Sequence, residues 1–211
     1  MTARPRRGRL VVLEGIDGVG KTTLVRALAR TLRRGGSSVA VRSEPADPRL
    51  GALAQSAAAE DAWTGAVYFT VDRHLAAPAL ERDLRHHEYV LQDRSFYSTL
   101  AYQGSALAPR EARRLTELQR AATREPDTVV LLDLSPSEAL ARLGSRGSRR
   151  GPLEQLRTMR RVARAYRSLA RQHAWLILDA RKPTGELVSE VLDALGTGTR
   201  TETRRTGRRR R

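Results

Sequence analysis

The chain has 211 residues, 40% hydrophobic and 29% charged, with no Cys, four His and a net charge of +16. That length suits one domain with a sizeable core. The absence of Cys excludes disulfides and thiolate metal sites. No apolar run approaches the roughly 20 residues of a membrane span.

Residues 1–9 form a basic N-terminal extension with four Arg and no acid. No signal-peptide core precedes the first strand, so a cytoplasmic protein is expected. The apolar run Leu10–Leu13 reads as a buried strand. It leads into Gly15-Ile16-Asp17-Gly18-Val19-Gly20-Lys21-Thr22-Thr23, which contains the P-loop pattern. Glycines let the backbone bend sharply and approach a polyphosphate. The N–H groups of the turn and of the following helix then face the anion. Lys21 can reach the β- and γ-phosphates of ATP, and the Thr22 hydroxyl can ligate Mg²⁺. Only Lys21 and Lys182 are lysine in a chain of 39 Lys plus Arg. A compact ammonium on a flexible stem is what the loop requires, and Arg would not fit there.

Leu24, Val25, Leu28 and Leu32 repeat with helical period. Val39–Arg42 reads as a second strand after the Gly35-Gly36 stop. Pro45 and Pro48 break any helix, and helices are expected over 50–60 and 66–85, with Pro78 a possible kink. His87–Asp93 is read as the third strand, ending in Asp93-Arg94. Residues 99–104 begin a helix or loop, and 109–123 a helix. Thr128–Leu134 reads as the clearest buried strand, and Ser135-Pro136 opens the next helix. A lid is expected near 144–152, in the insert GSRGSRRG. A helix over 153–172, a strand over 175–178 and a helix over 184–195 complete a kinase domain spanning 10–196. Strands alternating with helices call for an α/β fold, a parallel sheet with helices on both faces. Residues 197–211 carry seven Arg and one Glu with no apolar residue, and read as a disordered tail. The two ends hold +10 of the +16, so the folded part is only moderately basic.

Several constellations can carry chemistry. Asp93 and Arg94 fall at the carboxyl end of a strand, the edge where open α/β sheets bind ligands. Asp93 there can hold Mg²⁺, and Arg94 can bridge donor and acceptor phosphates. Asp133 is a lower-ranked alternative to Asp93 for the metal. Seven of the nine aromatic residues, Trp63, Tyr68, Phe69, Tyr89, Phe96, Tyr97 and Tyr102, fall within 63–102, which suggests a pocket for a planar ligand. Ordinary core packing is the alternative for any one ring. Phe69 and Arg73, four apart, share a helix face and could stack on and bond a base. Arg142, Arg146, Arg149 and Arg150 surround the lid, where a basic cover could exclude water and neutralise transferring phosphates. A solvated basic loop is the plainer reading. Glu154 follows the lid and could reach the metal or Arg94.

LEGIDGVGKTT, YFTVDR and DRSFYSTLAYQG, with VVLLDLSPSEALARL and the Arg-rich insert ending in LEQ, resemble the thymidylate kinase family over residues 10–195. The resemblance implies a three-layer P-loop NTPase fold with a five-stranded parallel sheet in the order 2-3-1-4-5. It implies transfer of the ATP γ-phosphoryl to dTMP with Mg²⁺, and a homodimer. It places Asp17 near the sugar and phosphate of dTMP, Phe69 on thymine, Arg73 at its edge and Arg94 on the acceptor phosphate. Ser98 and Thr99 join the dTMP site, and Tyr102 presses on the deoxyribose. The catalytic set is Lys21, Arg94 and Asp17 with Arg146 and Arg149 of the lid; the metal set is Thr22 and Asp93. Gly18 follows the acid where some members carry Arg, which matches the pattern with the catalytic Arg in the lid. Ser43–Pro48 and Ser95 depart from the family pattern.

The sequence leaves two other readings open. One is a P-loop kinase for another nucleotide or small metabolite. The other is a nucleotide-dependent regulator that binds nucleic acid through the Arg tail. Nucleic acid is not required for the kinase reading, in which the tail binds polyanions only non-specifically.

Overall fold

A computed structural model describes residues 7–144 and 152–197, the side chains of residues 152–154 excepted. Residues 1–6 and 198–211, the proposed lid with Arg146, Arg149 and Arg150, and the Glu154 side chain lie outside the described residues.

The strands are β1 (Arg9–Glu14), β2 (Val39–Ser43), β3 (Tyr89–Asp93), β4 (Thr128–Asp133) and β5 (Leu176–Asp179). They form one parallel sheet in the order β2-β3-β1-β4-β5, as expected. The helices are α1 (Lys21–Arg34), α2 (Pro48–Glu60), α3 (Ala62–His86), α4 (Phe96–Tyr102), α5 (Pro109–Ala122), α6 (Pro136–Leu143), α7 (Pro152–Gln172) and α8 (Thr184–Ala194). Strand β1 is apolar because it is buried on both faces; Leu10, Val11, Val12 and Leu13 are at most 2% exposed. One face packs Val11 and Leu13 with Leu24, Leu28, Val162 and Tyr166. The other packs Leu10 and Val12 with Leu84 and Val90. Helices therefore cover both faces of the sheet, giving three layers.

Local chemistry sets the helix ends. Pro48 does not break a helix but begins α2. Asp47 accepts from the Arg49 and Leu50 N–H groups at 2.7 and 3.2 Å. Proline suits the first helical position, where its missing N–H has no helical partner. Pro78 lies within α3, which continues to His86. Helix α4 starts earlier than read from sequence, because the Ser95 hydroxyl accepts from the Tyr97 N–H. Strand β5 starts after Trp175, whose ring packs edge-on to Tyr97 at 4.6 Å.

Candidate functional site

The carboxyl ends of β1 and β3 are neighbours in the sheet, with Leu13 opposite Asp93. The loop leaving β1 is thereby set beside Asp93 and Arg94. Gly15 and Gly18 have φ of +140° and +86°. A Cβ on Gly15 would stand 2.6 Å from the Leu132 carbonyl oxygen, and one on Gly18 would stand 2.4 Å from that of Ala139. Both positions therefore require glycine, for conformation and for space. Within the loop the Lys21 ammonium donates to the Gly15 and Ile16 carbonyls, each at 2.9 Å. Burial, then the Arg94 charge, lowers the Lys21 pKa to about 8. Among the described residues this ammonium has no ion-pair partner, and a polyphosphate there would supply one.

The Thr22 hydroxyl donates to an Asp93 carboxylate oxygen at 2.5 Å. Two hard oxygen groups side by side suit Mg²⁺, which takes a few protein oxygens and completes its shell with phosphates and water. Among the described residues no group of three or more His, Cys, Asp or Glu could hold a metal by itself. Asp133 shares the single Arg167 Nε–H between its two oxygens, at 3.0 and 2.9 Å, and the Thr22 hydroxyl pairs with Asp93 instead.

Arg94 stands just past β3 with φ of +73°, and its N–H bonds the Leu13 carbonyl at 3.0 Å. Its guanidinium donates to Asp17 at 2.5 Å, Ser98 Oγ at 3.1 Å and Tyr166 OH at 3.4 Å. It lies 5.2 Å from the centre of the Tyr102 ring, whose hydroxyl donates to Asp17 at 3.1 Å. Burial works against the Arg94 charge, but Tyr102, Asp17, Tyr166 and Glu14 outweigh it and hold its pKa well above the ordinary value. For Asp17 burial acts upward, yet Arg94, Lys21 and Tyr102 together hold the carboxyl below its ordinary range. Both groups stay charged at neutral pH.

Beside this pair opens a cavity of about 350 Å³. Phe69 and Arg73 from α3, and Arg94, Ser98, Thr99 and Tyr102 from the β3–α4 segment, all line it, and Asp17 stands at the same wall. The residues of the P-loop other than Asp17 do not line it. The aromatic cluster is only partly a pocket. Of the seven rings, only Phe69 and Tyr102 border this cavity. Tyr89 is buried in the main core. Phe96 and Tyr97 pack with Val129 near Trp175, as flat apolar area is used in most proteins.

The structure adds residues that the sequence did not single out. Glu14, at the end of β1, has no exposed surface. It accepts from the Ser95 N–H and hydroxyl at 2.8 Å each, from Ser98 Oγ at 2.7 Å and from Tyr166 OH at 2.9 Å. Burial raises its pKa, against the opposing pull of Arg94 and these hydrogen bonds. Glu44, after β2, takes Arg73 Nε and NH2 on one oxygen at 2.9 and 2.7 Å, and Gln92 on the other at 2.9 Å. Thr158 and Arg161 bring α7 to the cavity. A carboxylate ending an apolar strand was a usable signal for Glu14; the partners that make it matter are up to 152 residues away.

Comparison with known proteins agrees with this geometry. The profile of the thymidylate kinase family matches residues 13–191. A thymidylate kinase of Xanthomonas oryzae pv. oryzae is 44% identical over 148 residues, which are 66% of this chain and 62% of that protein. The chain thus spans less than two thirds of that relative's length. One of Leifsonia xyli is 38% identical over 201 residues, 88% of this chain and 93% of that protein. A probable thymidylate kinase of Archaeoglobus fulgidus is 32% identical over 188 residues, 86% of this chain and 92% of that protein. With the profile spanning nearly all the described fold, and the sheet order and P-loop in agreement, the chain belongs to the thymidylate kinase family.

Proposed function

We propose that this protein transfers the γ-phosphoryl of ATP to dTMP, giving ADP and dTDP. One observation carries the reading. The six residues expected to hold dTMP come from two helices and a strand end, and all six line one cavity beside the P-loop acid. An acceptor phosphate near Arg94 would meet a guanidinium held charged by its neighbours. In the reaction an oxygen of that phosphate attacks the γ-phosphorus and the bond to the ADP oxygen breaks. Lys21 neutralises the β- and γ-phosphates, and Arg94 keeps the two anionic substrates from repelling each other. Asp17 fixes Arg94 and faces the sugar. Thr22 and Asp93 would hold Mg²⁺, which when bound would neutralise charge on the donor phosphates. Arg146 and Arg149, outside the described residues, would neutralise charge on the transferring group.

The proposed unit of function is a cytoplasmic homodimer of the 10–196 kinase domain. Val67, Val71 and Leu75 form an exposed apolar stripe along α3, at 39%, 43% and 65% exposure. A second copy would cover it, and light scattering of the purified protein should give twice the chain mass; a monomer at working concentration would reject the dimer. No described helix is long and apolar enough to cross a membrane.

The activity test is a panel of nucleoside monophosphates with ATP and Mg²⁺, scored for diphosphate formation. dTMP and dUMP should be converted well ahead of dCMP, and purine monophosphates poorly. If dCMP or a purine nucleotide proves the best acceptor, the base assignment is wrong even though the P-loop chemistry stands.

A further inference from the structure

Gln119 lies on α5 with no exposed surface, one helical turn from the equally buried Leu115. A polar group so placed must find its hydrogen bonds inside the protein. The bonds it makes fix which way its amide faces. The Thr70 hydroxyl donates its one proton to the Ala66 carbonyl at 2.8 Å. It can therefore only accept from Gln119, whose Nε2 stands 2.7 Å away. The Gln119 oxygen is thereby turned to Arg73 and accepts from NH1 at 2.7 Å.

Arg73 has five N–H groups. Nε and one N–H of NH2 go to Glu44. The other N–H of NH2 goes to Thr99 Oγ1 at 3.2 Å, and one of NH1 goes to Gln119. Among the described residues one N–H of NH1 has no partner, on a guanidinium that borders the same cavity as Phe69. Glu44 is itself anchored by Gln92, so neither partner of the pair is free to turn.

We propose that Gln119 and Thr70 are positioning residues that set base choice. They hold Arg73 so that it offers a base a single N–H donor and no acceptor. A planar base with a carbonyl at that edge completes the set. A base with an exocyclic amino group there sets donor against donor and leaves both unpaired. The inference rests on the reading that the acceptor base lies against Arg73.

The test compares Gln119→Leu, Gln119→Glu and Thr70→Ala with the wild type in steady-state kinetics on dTMP and dCMP. Gln119→Leu removes the acceptor and frees NH1. The ratio of kcat/KM for dTMP over dCMP should fall about tenfold or more, through a higher KM for dTMP, with the KM for ATP unchanged. Gln119→Glu keeps an oxygen toward Arg73 and should retain most of the ratio. Thr70→Ala unpins the amide and should lower the ratio part of the way. A ratio unchanged in both Gln119→Leu and Thr70→Ala overturns the proposal. Equal losses in Gln119→Leu and Gln119→Glu also overturn it, since the oxygen facing Arg73 would then not be what sets the ratio. If Gln119→Leu does not fold, an unchanged ratio in Thr70→Ala is enough to reject it. A wild-type protein that does not prefer dTMP would instead refute the proposed function and leave the Arg73 geometry as it is.

Discussion

Glu14 is a fully buried carboxylate at the carboxyl edge of the sheet, and its substitution separates shape from charge. In Glu14→Ala four donors lose their acceptor. The Ser98 and Tyr166 hydroxyls stand 2.8 Å apart, so they can rotate and satisfy each other in part. The Ser95 N–H is backbone and cannot turn. Each buried donor left unpaired costs about 1–3 kcal/mol, so the variant should lose about 3–5 kcal/mol, the range for breaking one side of a buried charged cluster. Glu14→Gln keeps an oxygen for Ser95 and presents an NH₂ to two hydroxyls that can accept. Its cost should be about 1 kcal/mol or less. For a domain of this size the gap between the variants corresponds to roughly 6–12 °C in Tm. Thermal and urea unfolding followed by circular dichroism would measure it.

The pH dependence gives a second check with a definite sign. Burial raises the Glu14 pKa above its ordinary 4.5. A raised carboxyl contributes stability that is present below that value and is lost as pH rises through the folded pKa. The stability of Glu14→Gln relative to wild type should therefore improve as pH rises from 4.5 toward neutrality. Equal damage from Gln and Ala, or a relative stability that falls with pH, would refute this account of the cluster.

Lys21→Ala should abolish phosphoryl transfer in a folded protein: it removes two hydrogen bonds to the Gly15 and Ile16 carbonyls, but the bends of the loop are set by the backbone at Gly15 and Gly18. In the wild type ATP binding should weaken as pH rises past about 8, where the free ammonium loses its proton; calorimetry in buffers of different ionisation heat would show proton uptake near that pH, and its persistence in Lys21→Ala would exclude Lys21 as the source. Removing residues 198–211 should leave dTMP phosphorylation nearly unchanged, since the segment has no apolar residue to bury. Loss of most turnover in the truncated protein would show that the tail acts at the site.

Sequence reading went furthest where chemistry is local. The P-loop is contiguous, its strand and helix flank it, and Asp93-Arg94 ends a strand, so function and position could be read together. The sheet order and the role of Tyr102 came from resemblance to the family, while Phe69 and Arg73 also stood out by their helical spacing; all three residues line the cavity. What stayed hidden depends on long-range pairing. Arg73 is held by Glu44, Gln119 and Thr99, which lie 29, 46 and 26 residues away, and no spacing rule connects them. Clustering of rings in sequence did not become clustering in space, because Phe96 and Tyr97 turn toward Trp175 while Tyr102, on the same helix, faces the cavity. Pro48 was read by its power to break a helix, when the preceding Asp47 marked it as a start.

The strand order has a consequence for how the chain is made. Strands β1 and β2 are consecutive in the chain but never touch; β3 lies between them, and β4 takes the other edge of β1. A ribosome adding about 5–20 residues each second needs on the order of ten seconds to pass from the end of β1 at Glu14 to the end of β3 at Asp93. Throughout that interval the nascent chain holds an apolar strand with two open edges and no partner, the kind of segment that chaperones bind and that aggregates when they do not. Any fragment ending before Tyr89 has no sheet to form, and the phosphate loop cannot acquire its shape until the chain behind it has supplied the neighbours of β1.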